Sequence, residues 1–334
     1  MAPEIFHYDR PFTLESGEVL PQLDIAYHTW GDESLPVAWV CHALTASSDV
    51  EDWWPGTITD DGFLNPKRYR VVCANILGSH YGTTGPLSVD PATGRPYYGT
   101  FPAFTIRDIV ETFRLLAEHL GIGDIDLLVG SSVGGFQAIE WAVQEPHRFK
   151  CLALIATAPY ASPWAVALDE TQRMAIRADA SWGEPRADAA MAGMAAARAI
   201  GLLSYRGGRG YNLTQQGRNT DGSLRAVTYQ RHQGDKICRR YNAYSYVAIL
   251  DAFDTHDVGR DRGGLESALR RITARTLLVG ITTDLIFPPE EIQSWGRMIA
   301  GATYREIDSP LGHDGFLVEK DALNQLITSN LIDK

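Results

Sequence analysis

Gly130-Ser131-Ser132-Val133-Gly134 is the segment whose residue types and spacing point most directly to chemistry. It lies between a strand-length apolar run, Ile125 to Val129, and a segment that reads as helix, Val133 to Gln144, which is the context a nucleophile elbow requires. Small residues let the chain make a sharp, strained turn that lifts the central Ser132 hydroxyl, and the helix N-terminus beneath it favours developing negative charge. A serine hydroxyl is a poor nucleophile at neutral pH. A base must take its proton, and a carboxylate must hold that base in the right tautomer.

Both partners are expected downstream. Asp284 follows the apolar run Leu277-Leu278-Val279-Gly280-Ile281, and His313, in Gly312-His313-Asp314-Gly315, is the only histidine after His256. The order Ser, Asp, His is that of the α/β-hydrolase fold, so Ser132, Asp284 and His313 are the expected catalytic triad. A tetrahedral oxyanion needs two backbone N–H donors, expected from Val133, after the nucleophile, and from Leu44 in Cys41-His42-Ala43-Leu44-Thr45. His42 precedes the serine and is read as structural.

The elements that must position these residues are legible in the hydrophobic pattern. Leu23 to Thr29 alternates, while Val37 to Cys41 and Tyr69 to Ala74 are short apolar runs, all read as strands. Thr105 and Asp108 form a capping-box-like start for an amphipathic helix through Leu120, stopped by Gly121. Strand (Ile125 to Val129), helix and strand (Cys151 to Ile155) then imply a parallel sheet with both faces covered, consistent with apolar runs lacking alternation. From 161 to 262 an Ala- and Met-rich stretch (Ala187 to Gly201) and a Gly- and Asn-rich stretch (Gly207 to Gly222) read as a mostly helical insertion. Strands return at Thr276 to Ile281 and Thr303 to Ile307, followed by an amphipathic helix over roughly Asp321 to Leu331. The expected architecture is a mostly parallel central sheet flanked by helices, with a core domain of residues 1–160 and 263–334 and a helical lid of residues 161–262.

Composition narrows the function. A chain of 334 residues, 45% hydrophobic, can bury a full core, and a formal charge of -11 argues against nucleic-acid binding, which draws on Lys and Arg. No secretory signal or membrane-spanning stretch is visible, so a cytoplasmic location is expected. Cys41, Cys73, Cys151 and Cys238 are far apart and read as free thiols. The nine histidines offer no HxxxH or HExxH pair, so no metal is expected.

Further segments carry a resemblance: His42-Ala43-Leu44-Thr45, Asn75-Ile76-Leu77-Gly78, Gly82-Thr83-Thr84-Gly85-Pro86, Phe101-Pro102, Thr105-Ile106-Arg107-Asp108, Gly130 through Trp141, Tyr229, His232-Gln233-Gly234-Asp235-Lys236, Ser245-Tyr246, His256-Asp257-Val258-Gly259-Arg260 and Gly312 through Leu317. Together they resemble the homoserine O-acyltransferases, especially the homoserine O-acetyltransferases, over nearly the whole chain. One departure is Ser79-His80-Tyr81, where many members have a Cys near the Gly-rich loop. The resemblance implies ping-pong transfer of an acetyl group from acetyl-CoA to the side-chain hydroxyl of L-homoserine through acyl-Ser132, in methionine biosynthesis. Acetyl-CoA would be a co-substrate, with no permanently bound cofactor. It further implies that Arg198 binds the homoserine carboxylate, with Tyr205 seven residues later, that Asp314 contacts its amino group, and that the protein is a homodimer through the lid. A succinyl donor, a serine acceptor or plain ester hydrolysis would use the same triad and stay open.

Overall fold

The computed structural model describes residues 1–333. Its core is an eight-stranded sheet built from β1 (Glu4–Tyr8), β2 (Leu23–Trp30), β3 (Val37–Cys41), β4 (Arg70–Ala74), β5 (Ile125–Ser131), β6 (Phe149–Ile155), β7 (Arg275–Ile281) and β8 (Thr303–Ile307). The spatial order is β1-β2-β4-β3-β5-β6-β7-β8. β1 and β4 pair antiparallel with β2, and every other pairing is parallel. In the register, Cys41 on β3 lies opposite Gly130 on β5, and Ser131 opposite Ile155 on β6. Parallel strands align their C-terminal ends along one edge, and the chain leaves that edge at residues 42, 132, 282 and 308.

The strands are apolar because both sheet faces are covered. Trp39, Phe113, Phe136 and Trp141 are buried in one layer, and Trp54, Phe63, Val129, Val279 and Phe316 in the other. β2 departs from its expected alternation: six of its eight residues are buried, because it is an interior strand between β1 and β4.

Two helices flank the nucleophile's strand in sequence. α1 (Ile106–His119) begins at a complete capping box, with the Asp108 N–H donating to Thr105 Oγ1 and the Thr105 N–H to Asp108 Oδ2. It ends before Gly121, whose φ is +66°. α2 (Val133–Gln144) is almost entirely buried and mostly apolar, with Gln137 and Glu140 as buried polar exceptions.

Between β6 and β7 the chain forms α3 (Pro163–Arg177), α4 (Met191–Thr214), α5 (Arg225–Cys238) and α6 (Ala243–Asp254). This segment leaves and rejoins the core at one place. Tyr160 bridges Asp257, the Ala161 N–H donates to the His256 carbonyl, and the Val258 N–H to the Pro159 carbonyl. Beside this neck Arg262 and Arg107 converge on the fully buried Glu140 of α2. Burial opposes that carboxylate's charge, but Arg262 outweighs it and holds Glu140 below its ordinary value.

The glycine-rich stretch behaves differently from its composition. α4 continues through it to Thr214 and breaks only at Gly207, where φ is +61°. The C-terminal helix is also shorter than the periodicity suggests: α7 (Pro289–Gly296) precedes β8, and α8 (Lys320–Ile327) gives way to a π turn over Thr328–Ile332.

Candidate active site

Ser132 sits where β5 ends and α2 begins, with φ +53° and ψ -129°, a conformation that a serine adopts only under strain. Two of the motif's glycines are required by close approach. A Cβ on Gly130 would lie 2.4 Å from the Gly134 carbonyl oxygen, and one on Gly134 would lie 2.0 Å from the Cys41 carbonyl oxygen. The turn is tied down by the Ser132 N–H, which donates to Ile155 O at 3.0 Å, and by Thr157 Oγ1, which donates to Ser132 O at 2.7 Å.

The other two residues of the expected triad come from the same edge. His313 Nε2 is 2.9 Å from Ser132 Oγ, and His313 Nδ1 is 2.7 Å from Asp284 Oδ2. The other Asp284 oxygen accepts the N–H groups of Ile286 and Phe287 at 2.8 and 3.0 Å, which holds the buried side chain in orientation. With Asp284 Oδ2 accepting from His313 Nδ1–H, Nε2 is left to accept from the serine. Burial disfavours the imidazolium, but the charge and hydrogen bond of Asp284, assisted by Asp314, outweigh it and raise His313 above its ordinary value. The two loops are clamped by Thr283, whose Oγ1 donates to Ser309 O and accepts from the Gly312 N–H.

Val133 is the first residue of α2, so its N–H has no intrahelical acceptor. Leu44 is the second residue of a turn closed by the Ala46 N–H on Ala43 O at 3.0 Å, and it lines the same pocket as Ser132. His42 is held otherwise: its Nδ1–H donates to Ala43 O and its Nε2 accepts the Ile76 N–H. Burial lowers it to about 4, so it is a neutral strut.

Ser132, His313, Leu44, Val133, Arg198, Tyr205 and Asp314 all line one pocket, with about 930 Å³ of empty space out to its mouth. Its apolar walls include Ala165, Leu168, Leu250, Phe253, Ile286 and Phe287. The Arg198 guanidinium lies 5.2 Å over the Tyr205 ring. Burial pushes the Tyr205 phenol up, against the opposing pull of Arg198. Asp314 is already engaged: one of its oxygens accepts from Arg206 Nε at 2.6 Å.

Sequence reasoning missed this Arg206 contact, along with three pocket residues: Asp169, Gln172 and Arg240. Asp169 accepts from Gln172 and faces Asp254, and burial together with that second carboxyl pushes it well above the carboxylate range. The glycine run was the only available signal for the lid contact. Cβ atoms on Gly210 and Gly312 would lie 2.8 Å from Pro310 O and 2.7 Å from Tyr205 O, because α4 packs backbone to backbone on the His313 loop.

Among the described residues no group of three or more His, Cys, Asp or Glu side chains is placed to hold a metal ion, and no helix is long and apolar enough to cross a membrane. The four cysteines are free, three of them buried.

Comparison with known proteins gives three kinds of likeness. Residues 39–320 match the family model for the α/β-hydrolase fold. The homoserine O-acetyltransferase of Cyclobacterium marinum is 40% identical over 98% of this chain and 95% of its own. Among solved structures, homoserine O-acetyltransferase from Staphylococcus aureus superposes with a TM-score of 0.82 at 27% identity, covering 98% of this chain and 95% of that one. Esterase E22 superposes with a TM-score of 0.89 at 24% identity over 98% and 99%, a likeness of fold.

Proposed function

The chain belongs to the α/β-hydrolase family and, within it, to the homoserine O-acetyltransferases, and from that premise we propose that it moves an acetyl group from acetyl-CoA to the side-chain hydroxyl of L-homoserine. The first half-reaction acylates Ser132. His313 Nε2 takes the hydroxyl proton as Oγ attacks the thioester carbonyl, the N–H groups of Leu44 and Val133 hold the oxyanion, and His313 returns the proton to the departing CoA thiolate. In the second half-reaction the homoserine hydroxyl takes the place of CoA. His313 removes its proton, O-acetylhomoserine leaves, and Ser132 regains its hydrogen. Asp284 stabilises the imidazolium in both halves. The product belongs to methionine biosynthesis.

The observation that carries this reading is Arg198. Its guanidinium lines the serine's pocket and has no carboxylate within ion-pair distance among the described residues, so a planar, bidentate donor is free for the carboxylate of an amino-acid acceptor. Asp314, despite its bond to Arg206, keeps a second oxygen for the acceptor's ammonium. The apolar walls favour transfer over hydrolysis by limiting water at the acyl-enzyme. Large apolar side chains exposed on the lid, Trp164, Leu203, Leu213 and Leu224, support a homodimer formed through it.

Because the two half-reactions are separate, Arg198→Ala tests the acceptor site alone. Mass spectrometry should find Ser132 acetylated by acetyl-CoA as in the wild type, while KM for L-homoserine rises about 100-fold, the loss of roughly 3 kcal/mol of charge-assisted hydrogen bonding. An unchanged KM would remove Arg198 from the acceptor site.

A further inference from the structure

A side chain of the lid hydrogen-bonds to the oxyanion turn. Arg240, just after α5, extends its guanidinium across to the core. Nη1 donates to the Thr45 carbonyl oxygen at 2.9 Å and to the Tyr81 hydroxyl oxygen at 3.1 Å, and Nη2 lies 3.3 Å from Thr45 Oγ1. The Tyr81 hydroxyl donates in turn to the same Thr45 carbonyl at 3.4 Å. Thr45 follows Leu44 directly within the Ala43–Ala46 turn, and that turn's own backbone supplies a single hydrogen bond. All the groups Arg240 holds are neutral oxygens, so its charge is spent on fixing this turn.

We propose that Arg240 is a positioning residue: from the lid it sets the orientation of the oxyanion turn, so that the aim of the Leu44 N–H depends on the lid's being seated. The inference rests on the assignment of Leu44 as an oxyanion donor. It follows from geometry because an oxyanion donor must be aimed to within a few tenths of an ångström, and a short turn with one internal bond does not supply that rigidity alone.

The test is the acylation of Ser132 by p-nitrophenyl acetate, which needs the oxyanion hole but neither CoA nor homoserine. In that step the Oγ–carbonyl bond forms, the bond to the nitrophenyl oxygen breaks, the serine proton passes to His313 Nε2 and nitrophenolate leaves. Stopped-flow acylation of Arg240→Met should slow about 30-fold, less than the loss of a whole donor, with the ester's saturation constant unchanged. Arg240→Lys should fall between Met and wild type, Tyr81→Phe should slow about threefold, and added guanidinium should restore part of the rate to Arg240→Met but none to Ser132→Ala. Wild-type acylation by Arg240→Met, or a loss confined to the saturation constant, would overturn the proposal, as would the absence of guanidinium rescue. If Arg240→Met fails to fold, the Lys and Phe variants decide it on the same rate. A wild type that reacts with the ester yet never acetylates homoserine would count against the transferase reading and leave this one standing.

Discussion

His313 accepts a proton only as the neutral imidazole, and Asp284 holds its pKa above the ordinary histidine value. Activity should therefore be full at higher pH and fall as pH drops through that raised pKa, so the acid limb of kcat/KM lies above about 6.5. Asp284→Asn removes the raising charge and leaves the opposing burial. The acid limb should move to lower pH, and kcat should drop about 10³- to 10⁴-fold because the tautomer is no longer held. A pH–rate profile of the variant checks both, and an unmoved limb would mean that another group titrates. At this scale the convergence of Ser132, Asp284 and His313 was legible, since residue type, chain order and position after strands suffice to nominate them. Arg206 and Arg240 were not, because nothing near them in sequence marks a contact that spans 108 residues to Asp314 or 195 to Thr45.

The elements act together through close backbone contact. α2 can point at Ser132 only because Gly134 lets its first turn lie against the end of β3, where the space for a Cβ is filled by a main-chain oxygen that cannot rotate away. Gly134→Ala should destabilise the fold by about 3 kcal/mol and cut acylation of Ser132 further than the stability loss explains. Urea denaturation with ester kinetics on the folded fraction measures the two separately, and a stable, fully active variant would refute the packing account. Element types were readable from apolar run length and period. Their ends were not, as α4 shows: Gly207 breaks the helix at φ +61°, whereas Gly210 also looks like a breaker yet lies within it, because the helix must touch the His313 loop there. Tertiary contact overrides local propensity there.

The whole molecule is a sheet edge closed over by a helical cap, and its stability should be set partly by histidines that take no part in catalysis. His42 and His256 are both lowered to about 4 by burial. Their unfolded values are near 6.5, so the unfolded chain binds more protons in between. The stability they contribute is present above pH 6.5 and is lost as pH falls towards 4, by roughly 3 kcal/mol each. His313 works in the opposite sense, contributing below pH 6.5 and losing that contribution as pH rises through its raised pKa. Calorimetry should show Tm falling between pH 6.5 and 4, and a flat Tm there would contradict the burial of two neutral imidazoles. Acetyl transfer is tested by following CoA release from acetyl-CoA and, separately, succinyl-CoA, with and without L-homoserine, beside Ser132→Ala. Release from acetyl-CoA should require both homoserine and Ser132 and yield O-acetylhomoserine. Release indifferent to homoserine, with no such product, would contradict it.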